Sequence, residues 1–232
     1  ESGEVLQDFG ALFGPLIASG EYWRLFTAMF LHVGLFHFLF NGFALLIFGR
    51  MVEAIYGGAT FIVIYVLAGL SGSVASYMMN PVSIGAGASG AIFGVLGALG
   101  AFFFTRRNVL GEMGRQNFMG IAMLAAINLL FGFARPGIDN WAHMGGLVMG
   151  FAIGMAYAPQ SRIVVLPFRT YRRLDNAHTL VRRWWVLPVV AAVLFAGIWW
   201  ANSNLTDPAL SLTHVYEAER QLQMRSYETA LT

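Results

Sequence analysis

Ser83-Ile-Gly-Ala-Gly-Ala-Ser89-Gly-Ala-Ile-Phe93-Gly-Val-Leu-Gly97 decides how the chain is read. A loop of small residues gives way at Ser89 to an apolar helix carrying Gly90, Gly94, Gly97 and Gly100. Nothing on that helix is charged before Arg106, so it has no face for water and belongs inside a membrane. The serine at the junction has two readings. Serine is a preferred helix N-cap. A helix N-terminus also presents free backbone N–H groups and a positive dipole end, which suit a nucleophile whose attack creates an oxyanion. The stretch alone leaves both open.

Composition fixes the compartment. Hydrophobic residues make up 57% of the 232 and charged residues 11%, with a mean hydropathy of +0.63. A soluble domain is about a quarter charged, so this is an integral, multi-pass membrane protein. The absence of cysteine excludes disulfides, thiolate metal sites and a cysteine nucleophile. No residue pattern calls for a metal, a cofactor or nucleic acid. The chain begins at Glu1 and shows no secretory signal, which leads to the expectation that further sequence precedes it.

Outward from Ser89, six spans are expected: about 34–54, 59–79, 89–104, 118–133, 141–157 and 184–200. Residues 1–24 alternate acidic and apolar positions and read as an interfacial segment, with Tyr22 and Trp23 at headgroup depth. Asn80-Pro81 ends the second span, because the residue before proline disfavours helix. Residues 105–117 read as a polar connection and 158–183 as a basic linker. Trp pairs flank the last span, and 203–232 read as a polar tail. Ten of the 14 arginines fall in the linkers after spans one, three and five. The positive-inside rule puts those linkers in the cytoplasm. The N-terminal segment, loop 80–88, loop 134–140 and the tail then face outward.

Polar side chains at membrane depth are costly, so a cluster of them is a functional hypothesis. His37 and Asn41 are four apart and share a helical face. His143 sits near the outer end of its helix, with Gly146 and Gly150 on the same face. Gly97 and Gly100 lie beneath Ser89. Glycines on facing helices permit close approach, so Ser89 and His143 are able to meet. A neutral imidazole would take the serine proton as general base and return it to a leaving amine. The Ser89 N–H, with His37 and Asn41, would supply oxyanion donors. No span carries an Asp or Glu placed to orient the histidine, which favours a dyad over a triad. The structural alternative makes His37 and Asn41 interhelical hydrogen-bond glue, worth only about 1 kcal/mol in membranes, and His143 a satisfied core histidine.

With these residues assembled, residues 9–157 resemble the rhomboid intramembrane serine proteases. The resemblance rests on Trp23-Arg24, the His32…His37…Asn41 pattern, Glu53 twelve residues further on, Gly87-Ala88-Ser89-Gly90, and Ala142-His143 with Gly146. It implies an all-α, polytopic helix bundle: a rhomboid-like core whose first helix is expected before Val5–Leu16, plus one extra C-terminal transmembrane helix. The implied domains are a catalytic membrane domain (1–157), the basic cytoplasmic linker (158–183), the additional helix (184–202) and an outward tail (203–232). It further implies a Ser89 nucleophile, a His143 base, and an oxyanion hole of His37, Asn41 and the Ser89 backbone. Trp23, Arg24, His32, Glu53, Gly87, Phe93 and Gly146 are the supporting residues. Trp23-Arg24 would sit in a loop half-embedded in the outer leaflet, Phe93 would stack on His143, and loop 134–140 with the preceding helix would gate substrate. Transmembrane proteins would be the substrates, with the active site facing outward from a bacterial-type cytoplasmic membrane. Two competing readings are a rhomboid-like fold that grips client helices without cutting them, and a small transporter. The second is disfavoured because the two halves share no internal repeat.

Overall fold

The computed structural model describes residues 2–166, 169–175, 179–205, 210–216, 218 and 222. The N-terminal segment is a set of short pieces, as its mixed composition demands: α1 (Ser2–Asp8), α2 (Gly14–Ala18, opened by Pro15) and α3 (Arg24–Thr27). Then come helices in series. α4 (Gly34–Ala44) runs through one wide turn (Leu45–Gly49) into α5 (Arg50–Tyr56), a continuous 23-residue apolar rod. Gly57, at φ 86°, turns the chain into α6 (Gly58–Met79), which stops at Asn80 before Pro81. α7 (Ser89–Ala134) and α8 (Asn140–Ala156) follow.

α7 has 46 residues, about 69 Å if straight, more than twice the apolar thickness of a bilayer. It is not straight. Gly111, at φ 58° and ψ −136°, breaks it. The Phe104 and Phe118 rings, far apart on any straight helix, meet at 5.6 Å, so the second half folds back beside the first. The polar connection expected at 105–117 is therefore helical on both sides of a single glycine. Some of its polar groups bond within the turn, as where Asn117 donates to the Met113 carbonyl at 2.8 Å, while Arg106 donates to the Pro159 carbonyl.

After α8 the basic linker holds a feature the sequence reading did not anticipate. β1 (Gln160–Leu166) pairs antiparallel with β2 (Arg169–Asp175), and Arg162 stands opposite Arg173 in the register. α9 (Thr179–Arg182) leads into α10 (Val186–Ser203). Of the tail, 210–216 is helical, while Arg220 and Arg225 lie outside the described residues. The hairpin is a local exception in an all-α polytopic bundle. Among the described residues, four helices are long and apolar enough to cross a membrane. One is the broken α7, which supplies two crossings, and α8 with its 17 residues is at the lower limit for another.

The core is α6, α7 and α8, and backbone glycines bring it together. A Cβ on Gly146 would run into the Gly90 carbonyl, and one on Gly150 into Gly94. A Cβ on Gly72 of α6 would lie 2.6 Å from the Ala142 carbonyl, and one on Gly145 of α8 2.8 Å from that of Ser71. The stripe facing α8 thus begins at Gly90 and Gly94, with Gly97 below. Gly100, expected to belong to it, has room for a methyl group at ordinary contact distance, 3.8 Å from Ile121 and Phe151. Further from Ser89, Tyr56 reaches into the same seam and donates to the Ala98 carbonyl at 2.9 Å, with Gly154 O at 3.1 Å. That satisfies a hydroxyl buried among Val52, Leu99 and Ile153. α4 is the opposite case: Phe36 and Phe40 are 76% and 72% exposed. In water such a face would aggregate; in a bilayer it meets lipid.

Candidate active site

The site forms where α7 begins. Loop 80–88 is held from behind by the N-terminal segment, since Leu12 and Gly85 exchange backbone hydrogen bonds at 2.8 Å. Gly87 donates its N–H to the Ala28 carbonyl at 2.9 Å. Its φ of 144° lies in the region that favours glycine. A Cβ there would stand 2.8 Å from His37 Cε1 and 3.7 Å from Ser89 Oγ. The missing side chain is the room in which His37 and Ser89 approach one another.

The N-cap position of α7 is Ala88, which offers no side-chain cap. Ser89 lies one residue inside the helix, and its hydroxyl is used elsewhere: Ser89 Oγ is 2.9 Å from His143 Nε2. The capping reading of Ser89 is thereby set aside. For the serine to donate, Nε2 must be the unprotonated nitrogen, which leaves the ring proton on Nδ1. That Nδ1 is buried and has no hydrogen-bond partner. The ring is fixed by packing instead, with Phe93 stacked on it at 4.3 Å and 9°. Phe93 is one turn down α7 from Ser89, so a single helix presents the hydroxyl and clamps the imidazole.

α4 supplies the opposite wall. His37 Nδ1 accepts the Val33 N–H at 3.3 Å, so the neutral ring carries its proton on Nε2, the nitrogen beside Gly87. Asn41 is buried, and its Nδ2 donor has no partner. His32 packs edge-on against His37 at 5.2 Å and fixes that ring. Between these walls lies a groove of about 990 Å³ lined by His37, Asn41, Ser89 and His143, together with Leu124, Asn128 and Phe131 of the second half of α7. A smaller recess of about 40 Å³ opens behind Ser89, against Ser73 and Asp139.

Of the other expected site residues, Gly146 backs the site through its approach to Gly90. Arg24 is a buried anchor at a distance. Its Nε donates to Glu21 at 2.7 Å, and Nη1 donates to the carbonyls of Gln7 (2.5 Å) and Ala11 (3.2 Å). Trp23 stacks on that guanidinium at 4.7 Å, so the pair holds the N-terminal segment together. Glu53 is exposed and lies about 18 Å along the rod from Asn41, outside the site. Two residues that the sequence reading placed only within loop 134–140 stand in or beside it. Asp139 caps α8 by accepting the Ala142 N–H at 3.0 Å and lines both cavities. Asn140 ties α8 to the second half of α7 by donating to the Leu129 carbonyl at 3.2 Å.

With this geometry in hand, comparison with known proteins gives a consistent answer. The family model described as the Rhomboid domain matches residues 19–160. The rhomboid protease GluP of Bacillus subtilis is 47% identical over 148 residues, which cover 64% of this chain and 28% of GluP. Two Arabidopsis thaliana proteins also align. RHOMBOID-like protein 6, mitochondrial, is 37% identical over 163 residues (69% of this chain, 52% of that protein). RHOMBOID-like protein 1 is 35% identical over 157 (67% and 40%). The chain thus spans between 28% and 52% of the length of these relatives. The matched region holds the whole α6–α7–α8 core together with His37, Asn41, Ser89 and His143, so the chain belongs to the rhomboid family.

Proposed function

We propose that the protein is an intramembrane serine endopeptidase that hydrolyses peptide bonds in or next to transmembrane helices of membrane-protein substrates. The observation that carries this reading is the 2.9 Å contact between Ser89 Oγ and His143 Nε2 at the edge of a groove between helices. Ser89 Oγ attacks the scissile carbonyl carbon while its proton passes to His143 Nε2. The negative oxygen that develops accepts from the Ser89 N–H, from His37 Nε2 and from Asn41 Nδ2. Collapse breaks the C–N bond, and the imidazolium gives its proton to the leaving amine. Water, deprotonated by the same Nε2, then hydrolyses the acyl-enzyme. Serine, histidine and water carry every proton, so the cycle asks for no cofactor or metal.

The second half of α7 and loop 134–140 form the side through which a substrate helix would enter from the bilayer. The arginine distribution supports an outward-facing site in a bacterial-type cytoplasmic membrane. On this reading 1–157 is the catalytic domain, 158–183 a cytoplasmic linker carrying the hairpin, 184–202 an additional transmembrane helix and 203–232 an outward tail. The test is cleavage of a reporter transmembrane substrate by the reconstituted protein. Ser89→Ala and His143→Ala should each abolish cleavage while leaving the melting midpoint near that of wild type. Full cleavage by either variant overturns the dyad. Capture of the reporter without cleavage by wild type supports the client-binding alternative.

A further inference from the structure

The Ser89–His143 pair has no hydrogen-bonded carboxylate, yet one carboxylate stands a single turn before the base. Asp139 is four residues ahead of His143, and its carbonyl accepts the His143 N–H at 3.2 Å. Its Oδ1 is committed to the helix cap at Ala142. Its Oδ2 is turned toward loop 80–88, 3.5 Å from where a Cβ on Gly85 would be. Asp139 is the only carboxylate among the described residues lining the groove, and it lines the recess behind Ser89 as well. His143 is 8% exposed with Nδ1 unpartnered. Among the described residues, no hydrogen bond at Nδ1 therefore steadies the positive ring that forms when Nε2 takes the serine proton. Asp139 and His143 stand one helical turn apart and line the same groove, where His37 from α4 is the other titratable group facing them.

Resting on the function proposed above, we propose that Asp139 is a positioning residue for catalysis, whose negative charge stabilises the His143 imidazolium through space while its other oxygen holds the helix that carries the base. An opposite charge in a poorly hydrated site keeps much of its Coulomb energy. The charge arises only on the way to the transition state, so the benefit falls on rate and leaves substrate binding alone. The oxyanion is held by the Ser89 N–H and by donors on α4, whereas Asp139 caps α8, the helix that carries the developing cation.

The cap and the charge separate cleanly, because asparagine caps a helix about as well as aspartate and carries no charge. The probe is a fluorophosphonate. Ser89 Oγ bonds to phosphorus, fluoride leaves, and the hydroxyl proton passes to His143. In the full-length, reconstituted protein Asp139→Asn should slow this labelling by about five- to tenfold, lower kcat for a reporter substrate by a similar factor, and leave KM and the melting midpoint unchanged. Labelling of Asp139→Asn at or above the wild-type rate overturns the inference. So does slow labelling accompanied by a fall in the melting midpoint, which would make Asp139 a structural cap alone. Wild-type protein that fails to label at all would sink the protease reading itself, a result distinct from either.

Discussion

Gly87 shows how much of the site rests on one absent side chain. It combines a φ of 144° with a Cβ position 2.8 Å from His37. Gly87→Ala would strain the backbone, at about 1–3 kcal/mol, and push the imidazole away from Ser89. Because His37 is read as an oxyanion donor, the expected result is a loss of about a hundredfold in kcat. The measurement is reporter cleavage with the melting midpoint recorded in parallel; unchanged kcat would remove His37 from the mechanism. Ser89, His143, His37 and Asn41 stood out in the sequence because a bilayer makes unexplained polar groups conspicuous. Asp139 did not. An aspartate beside a turn reads as a cap, which it is, and its placement beside the recess depends on loop 80–88 arriving from another part of the chain.

Among the elements, the glycine stripes carry most of the sequence-to-fold argument. Gly146 and Gly150 were legible as a close-approach face, and the structure sets them against Gly90 and Gly94. The partner stripe was less legible: four glycines in the span from Ser89 do not announce which face the neighbour takes, and Gly100 turned out to have space. This gives a paired expectation. Gly94→Ala would drive a methyl group into Ala68 and toward the Gly146 carbonyl, 3.2 Å away. It should cost about 1–3 kcal/mol. Gly120→Ala, on the same α7 with nothing within 4 Å, should be neutral or stabilising by up to about 1 kcal/mol. Thermal melting in detergent distinguishes the two, and equal effects would contradict the packing described here. The β-hairpin was missed for a physical reason: its arginines drew the eye to charge, while Ile163-Val-Val165, in register with Arg172, Tyr171 and Thr170, is a β-branched run.

At the scale of the whole molecule, α10 and Tyr216 are bound to the core at its Ser89 end. Asn202 accepts from Tyr77 at 2.5 Å and donates to Tyr22 at 3.0 Å, and Tyr216 packs edge-on against Phe13 at 5.8 Å. The last helix therefore clasps α6 and the N-terminal segment from one side, away from the groove. Which surface of the membrane this end faces follows from charge, and the chain's lack of cysteine makes it directly measurable. Single cysteines at exposed Val82 and exposed Met113 should react with a membrane-impermeant maleimide on intact cells only at Val82→Cys. The reverse pattern would invert the proposed orientation.

The central claim is that a hydroxyl and an imidazole from two packed membrane helices act as one nucleophile, and peptide mapping after fluorophosphonate treatment of the folded protein tests it most directly. The account expects one adduct, on Ser89, that vanishes in His143→Ala while the protein remains folded. An unmodified Ser89 in folded wild type, or an adduct that persists without His143, would contradict it.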